Sequence, residues 1–441
     1  MRRSRSAIAL ALLLVTASCT DASAPAPRAS TEADISLSSP VTVSLWHALT
    51  GPQQSALAAL VAKFNATNGK GVTVTAQYQG NISQLYARTL AAIQAGGVPD
   101  MVQCYETQAG DYAKGDALID LRIYRDSPRN GLGSRDDIFR TLYDASTFAQ
   151  LGGRLLSWPF LRSLAAMYVN EDVLRDVGRT VPSTWEEFEA TAKALTRKDA
   201  SGRTTRYGFA FNPDGSFFNA QIYARGGSLT SADGKTVGWD GVEGVAVLEM
   251  YERMLNDGSA YLPRGRDWET DFAAGKLALY FSATSSIPFI KDVADRSGVR
   301  WSVAGLPQAD PSRPRTAQFG SGVAVFKTSP ERQLASWLFL RWLTEPEQTA
   351  QLAATAYALP VRASAAETGV LKEFWTKVPQ ARQAFDLMKT SVPEPNLRGQ
   401  QEIHDGVLFP MLQDVIAGKA APDAALRTAA AKANQILKNA D

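Results

Sequence analysis

The stretch Gly96-Gly97-Val98-Pro99-Asp100-Met101-Val102-Gln103-Cys104-Tyr105-Glu106 decides how this chain is read. Two glycines close a preceding helix, Pro99 forbids its continuation, and residues 101–104 read as a buried strand. That strand delivers Tyr105 and Glu106 at its carboxyl end. Ligands of open α/β sheets collect beyond that end, so an aromatic ring and a carboxylate placed there are candidates to meet one.

Upstream, residues 41–45 alternate as a strand, and residues 53–67 carry Leu57, Leu60, Val61 and Phe64 at helical spacing. Residues 72–78 alternate again, Gly80-Asn81 turns the chain, and residues 82–94 form a second helix. Strand, helix, strand, helix, strand predicts a parallel sheet with right-handed crossovers, hence an α/β lobe. Downstream, residues 152–160 are the candidate first crossing to a second lobe, followed by a short strand at 167–170. Ser183 and Glu186 have capping-box spacing for a helix through residue 197. Further helices are expected at 241–255 and 268–274, and a buried strand at 277–281. Residues 319–326, Gly-rich at their start, are the candidate second crossing. Helices at 331–343, 345–354, 371–390, 402–416 and 423–439 complete the chain.

A length of 441 residues suggests two or three compact units. With 46 basic against 44 acidic residues the net charge is +2, which gives no reason to expect nucleic acid or an anionic membrane surface as partner. His47 and His404 stand far apart with no ligand cluster, so no metal and no cofactor are expected. At the N-terminus Arg2, Arg3 and Arg5 precede an apolar run at 7–17 that is too short to span a bilayer. Val15-Thr16-Ala17-Ser18-Cys19 resembles a bacterial lipobox, with Cys19 the lipidated residue; an ordinary signal peptide with an incidental cysteine is the alternative. Residues 20–40, rich in Ala, Ser, Pro and Thr, read as a flexible tether. Cys104, the other of two cysteines, reads as a small core hydrophobe.

Leu45-Trp46-His47-Ala48, Tyr78-Gln79-Gly80-Asn81, Pro99-Asp100 through Glu106, Thr184-Trp185-Glu186-Glu187-Phe188, Gly275-Lys276-Leu277-Ala278 and Tyr357-Ala358-Leu359-Pro360 follow one another in an order that resembles family 1 of the extracellular solute-binding proteins of ABC importers. The resemblance covers almost the whole mature chain and is nearest to the binders of sn-glycerol 3-phosphate and glycerophosphodiesters. It implies two interleaved α/β lobes around a ligand cleft with a hinge: 41–152 with 324–364, and 153–323 with 365–441. It implies a small solute and an ABC permease as partners, and a monomer exported to the periplasm or cell surface and held at the membrane by lipid. Matched ligand-binding positions are Glu106, Ser163, Gly320, Tyr357 and Ser282 or Ser285, with Tyr105, Trp158 and Trp46 as candidate stacking rings. Two positions depart from the pattern. Ile82 replaces an aromatic, and His404 replaces a phosphate-facing arginine, for which Arg398, Arg162 and Arg225 are candidate substitutes. That favours a neutral saccharide or a zwitterionic phosphodiester.

The competing class is an exported carbohydrate-active enzyme using Glu106. Glycoside hydrolysis usually needs two carboxyl groups flanking one bond, and only Glu106 stands out; no nucleophile elbow, Walker A or His-Glu-x-x-His motif is present.

Overall fold

Three parallel strands, β1 (Val41–His47), β2 (Val72–Tyr78) and β3 (Met101–Cys104), make one end of the main sheet in a computed structural model that describes residues 32–133 and 137–440. β1 lies in the middle, in register from Val41–Val72 to His47–Tyr78 on one side and at Leu45–Met101 on the other. The crossover helices are α1 (Gly51–Thr67) and α2 (Ile82–Ala95). α1 buries the predicted stripe of Leu57, Leu60, Val61 and Phe64. α2 is closed at one end by an Asn81–Gln84 capping box and at the other by Gly96 in the left-handed conformation. β3 is covered on both faces, which is why it does not alternate. Met101 joins Leu45 and Phe64 in one core, while Val102 and Cys104 join Leu85, Tyr112 and Phe326 in another. Cys104 is therefore the core hydrophobe expected, and burial pushes its thiol pKa well up.

Asp100, at the entrance to β3, is fully buried. It accepts from the Ser44 backbone and hydroxyl at 2.8 and 3.0 Å and from both nitrogens of the Arg332 fork at 2.6 Å. One carboxylate thus pins β1, β3 and the helix Pro330–Leu343 together.

The strand Trp158–Asn170 serves both lobes. Its first half pairs antiparallel with the strand Thr316–Val325, from Trp158–Val323 to Leu164–Gln318, and that strand in turn pairs with β3. Its second half pairs with Trp301–Ala304 and with Leu277–Ala283, and Thr204–Ala210 lies beyond Leu277–Ala283. The short strand expected at 167–170 is only the far end of this element. Pro159 hides the rest: it has no N–H for a ladder, and the pairing shifts register beside it, between Ser321 and Gly322. Gly320 has φ +137°, and a Cβ there would stand 2.1 Å from the Leu161 carbonyl of the neighbouring strand. The glycine is required by the close approach of the two crossing strands.

Several expectations change. Residues 32–40, assigned to the tether, lie against the first lobe: Ala33 is buried, Asn130 donates to the Ala33 and Ile35 carbonyls, and Ser127 donates to Asp34. The remainder of the tether, the signal peptide and Cys19 lie outside the described residues. The capping box of the helix Trp185–Leu195 is Thr184–Glu187, one residue later than predicted. The helix expected at 371–390 breaks at Val378-Pro379 into Gly369–Lys377, which packs on Pro346–Ala356, and Pro379–Asp386, which packs on Trp301–Ala304. Residues 365–390 therefore touch both lobes instead of the second alone.

Replacing Gly320 with alanine should cost about 2 kcal/mol or more in urea unfolding, because the strained φ and the Leu161 clash add. Gly97→Ala, where nothing lies within 4 Å of the new Cβ, should be near neutral. Asp100→Asn should cost about 2 kcal/mol by the same measurement, since it breaks the Arg332 fork on the buried side of a half-exposed pair.

Candidate functional site

β3 ends at Cys104 and the chain turns directly into the helix α3 (Glu106–Tyr112), so Glu106 opens a helix instead of lying in a loop. The Tyr105 N–H is taken by the Gln108 side chain at 3.0 Å, and a carboxylate at the first helical position is favoured by the helix dipole. These residues face a cavity of about 390 Å³ between the lobes. Its floor is the crossing pair: Arg162 and Ser163 from one strand, Gln318, Phe319 and Gly320 from the other. Its far wall belongs to the second lobe, with Asp214, Ser285, Glu394, His404 and Asp405. At the rim the Thr107 hydroxyl reaches Gln401 across the cleft at 3.5 Å. Beyond Glu394, Pro395 and Asn396 the cleft continues into a second cavity of about 650 Å³, which Arg398 helps line.

Arg162 is 2% exposed. Its Nη1 lies 2.6 Å from Glu106 Oε1, an ion contact without in-line hydrogen-bond geometry. Arg162 Nε and Nη2, Glu106 Oε1 and Gln318 Oε1 are all buried with no hydrogen-bond partner among the described residues. An unsatisfied buried polar atom costs about 1–3 kcal/mol, so Arg162 and Gln318 hold polar capacity that their neighbours leave unused, while Glu106 Oε1 is held by the Arg162 charge. Ser163, by contrast, is engaged: its hydroxyl accepts from the Ser285 N–H at 3.2 Å and lies 3.2 Å from the Thr284 hydroxyl.

His404 opens a π-helical turn, His404–Leu408, between the helices Gln400–Ile403 and Phe409–Ile416; such bulges are frequent at functional sites. Its ring lies 3.2 Å from the Asn219 amide and 3.5 Å from Glu394. Gly215 lets the π-helical turn pack close: a Cβ there would stand 3.1 and 3.2 Å from Leu408 side-chain carbons. Burial pushes the Glu394 carboxyl up, opposed by His404 and the Asn219 hydrogen bond and reinforced by Asp214 and Glu106.

Of the predicted positions, Glu106, Tyr105, Ser163, Gly320 and His404 line this cavity, as do Ser285 and Arg162. Four do not. Trp158 is a core residue: it is fully buried, meets Trp337 edge-on at 4.7 Å and donates to the Thr344 hydroxyl. On a regular strand Trp158 and Arg162, four residues apart, would share a face; the register shift between them puts the ring into the first lobe and Arg162 toward the cleft. Tyr357, in the left-handed conformation, packs on Phe374 at 5.2 Å outside the lining. Ser282, still in the strand Leu277–Ala283, is buried against Ser286 at 2.9 Å, three residues before the lining residue Ser285. Trp46 donates to Gln77 on the sheet edge. Arg225 stacks 3.6 Å over the Trp185 ring in the second lobe, away from the cavity. The residues that sequence reasoning missed are Asp214, Glu394, Gln318 and Asp405. Only Asp214 carried a readable signal, as the cap of the helix Gly215–Ala224 in a Pro213-Asp214-Gly215 turn.

A family model described as bacterial extracellular solute-binding protein matches residues 59–383. The chain is 25% identical over 421 residues, 90% of it and 92% of the relative, to the sn-glycerol-3-phosphate-binding periplasmic protein UgpB of Escherichia coli K12. Among solved structures it is similar to UgpB of Mycobacterium tuberculosis in complex with glycerophosphocholine (TM-score 0.76, 22% identity, 90% of this chain and 99% of that one). It is similar also to the sugar-binding protein MalE of Xanthomonas citri (TM-score 0.78, 22% identity, 90% and 98%). Two of these relatives are binding proteins by name, and the third holds a bound small molecule. The family match runs through both lobes and both crossing strands, and the chain therefore belongs to the bacterial extracellular solute-binding proteins, the ligand-capturing components of ABC importers.

Proposed function

We propose that the cavity between the lobes captures a small hydroxyl-rich solute and that the closed, loaded form is delivered to an ABC permease. Glu106, Arg162 and Gln318 are assigned the polar contacts on the floor. Gly320 keeps the backbone close, Ser163 and Ser285 line the turn opposite, and His404 and Tyr105 border the far wall and the rim. The observation that carries this reading is that Glu106, Arg162 and Gln318, each with a buried polar atom that lacks a hydrogen-bond partner, line one cavity together. A sugar or glycerol hydroxyl donates to Glu106 and Gln318 and accepts from Arg162, which offsets the cost of leaving them bare. Closure is a hinge motion about the two crossing strands, the usual device of such receptors. In the same proposal Cys19 carries the lipid that tethers the protein at the membrane, the receptor works as a monomer without cofactor, and no reaction is catalysed.

The relatives bind glycerol phosphate, glycerophosphocholine or sugars, so the panel to test is sn-glycerol 3-phosphate, glycerophosphocholine, maltose and longer maltodextrins. A bound ligand at 100 times its Kd should stabilise the fold by about 2.7 kcal/mol and raise the melting temperature. Chemical turnover of any member, with no thermal shift from any, would contradict the receptor reading.

Glu106→Gln should weaken the binding of whichever ligand shifts the transition by about tenfold or more, as measured by calorimetry, since a charge-assisted acceptor is replaced by a neutral one. It should also lower the unfolding midpoint, because Arg162 is left as a buried charge without its counterion. Trp158→Phe should lower stability too, but with affinity unchanged. A loss of affinity there would return Trp158 to the site.

A further inference from the structure

The cleft is divided by a strap that both lobes hold. The short strand Ser391–Pro393 pairs parallel with Thr316–Gln318 of the crossing strand, and Pro393 and Pro395, which have no N–H to donate, keep that ladder from running on. Residues 394–398 then continue outside helix and strand to Gly399, whose left-handed φ of +79° turns them into the helix Gln400–Ile403. On the second-lobe side the Tyr223 hydroxyl donates to the Pro393 carbonyl at 2.7 Å and the Asn219 amide to the Glu394 carboxylate at 3.0 Å. On the first-lobe side the holder is Asn396. Its side-chain amide donates to the Ala145 carbonyl and, at 3.2 Å, to that of Thr147, while its own carbonyl accepts from the Gln150 side chain. Phe148, between these anchors, packs with Leu85 and Tyr112, so the anchors belong to the first lobe.

These bonds lie along the boundary between the two cavities. Glu394, Pro395 and Asn396 line both. Ala145 lines the inner cavity of about 390 Å³, whereas Thr147 and Gln150 line the outer one of about 650 Å³. Each volume alone falls in the range of about 300–1,000 Å³ that small-ligand pockets occupy. The outer cavity also has a polar group in reserve: Arg398 Nε is buried without a hydrogen-bond partner among the described residues, as are Nε and Nη2 of Arg162 on the inner floor.

We propose that, within the receptor reading above, Asn396 sets the length of ligand that the cleft accepts. The strap is a partition. A short solute is held in the inner compartment over Arg162 and Gln318, and a longer chain reaches Arg398 only by lifting residues 394–396 off the first lobe. Pro393 and Pro395 fix φ on either side of Glu394, so the strap moves as a stiff piece about Gly399. Asn396 is a positioning residue here: it acts through the strap, and a long ligand gives up its bonds to Ala145 and Thr147 before it gains the outer wall.

The test compares short and long ligands by calorimetry: maltose against maltotriose and maltotetraose, and sn-glycerol 3-phosphate against glycerophosphocholine. In Asn396→Ala and Asn396→Asp the ratio of long to short affinity should rise about tenfold in whichever series binds, the weight of one to two net hydrogen bonds. The short member should stay within about twofold of the unsubstituted protein. Aspartate keeps the bulk of asparagine but turns an acceptor toward two carbonyls, so the pair of substitutions separates release of the strap from loss of volume. Gln150→Ala, at an exposed position that the fold tolerates, should move the ratio the same way by a smaller factor, about threefold. An unchanged ratio in both Asn396 variants, or an equal loss of affinity for long and short members, would overturn the partition and leave the receptor reading intact. A rise with alanine alone would trace the limit to side-chain bulk and overturn the role of the bonds. Silence of every ligand on the unsubstituted protein and its variants would remove the receptor reading, and the partition with it.

Discussion

The antiparallel pairing of Trp158–Asn170 with Thr316–Val325 is the constraint on which the rest depends. It is the floor of the cavity and the tie between the lobes at once. One strand changes partners halfway along, from Thr316–Val325 to Leu277–Ala283, so its residues around Arg162 and Ser163 lie where neither lobe's core fully covers them. Polar side chains survive burial there only because they face the cleft. Gly320 is the price of bringing the second strand close enough, and Leu161 is what it would otherwise strike.

Around this floor the two lobes supply different chemistry. The first brings a helix start with Tyr105 and Glu106, and its carboxylate is committed to Arg162. The second brings a helix cap, Asp214, a π-helical turn with His404, and the acid Glu394 on the segment after Ser391–Pro393. Each of these sits at an element terminus or an irregularity. Backbone groups are already short of partners at such places, and side chains can be aimed across a gap.

The first lobe was legible because its elements obey local rules. β2 ends where alternation stops, and α2 ends at Gly96 because only a glycine readily takes the left-handed turn. Glu106 was legible for the same reason: it follows a strand end. The long crossing strand was not, because Pro159 reads as a break and the compensating register shift lies on a partner some 160 residues away in sequence. Trp158 shows the related limit. Sequence places it next to a site but does not say which face of its strand it occupies, and the answer comes from Trp337 and Thr344. Asp405 and Glu394 are surface-like acids in sequence; only tertiary packing turns them toward one cavity.

The fully buried carboxylate of Asp100 and the crossing strands also bear on the order in which the chain acquires structure. Gln103 of β3 donates to Ser321 across 218 residues, and Asp100 waits for Arg332. The first lobe, although it begins the chain, cannot close its sheet until about three quarters of the polypeptide is available. Loop-closure entropy of that length must be met before the contacts form, so folding should be slow relative to a local helical domain. Until Val325 is in place, β3 presents an unpaired apolar edge, the kind of surface on which partly made chains aggregate.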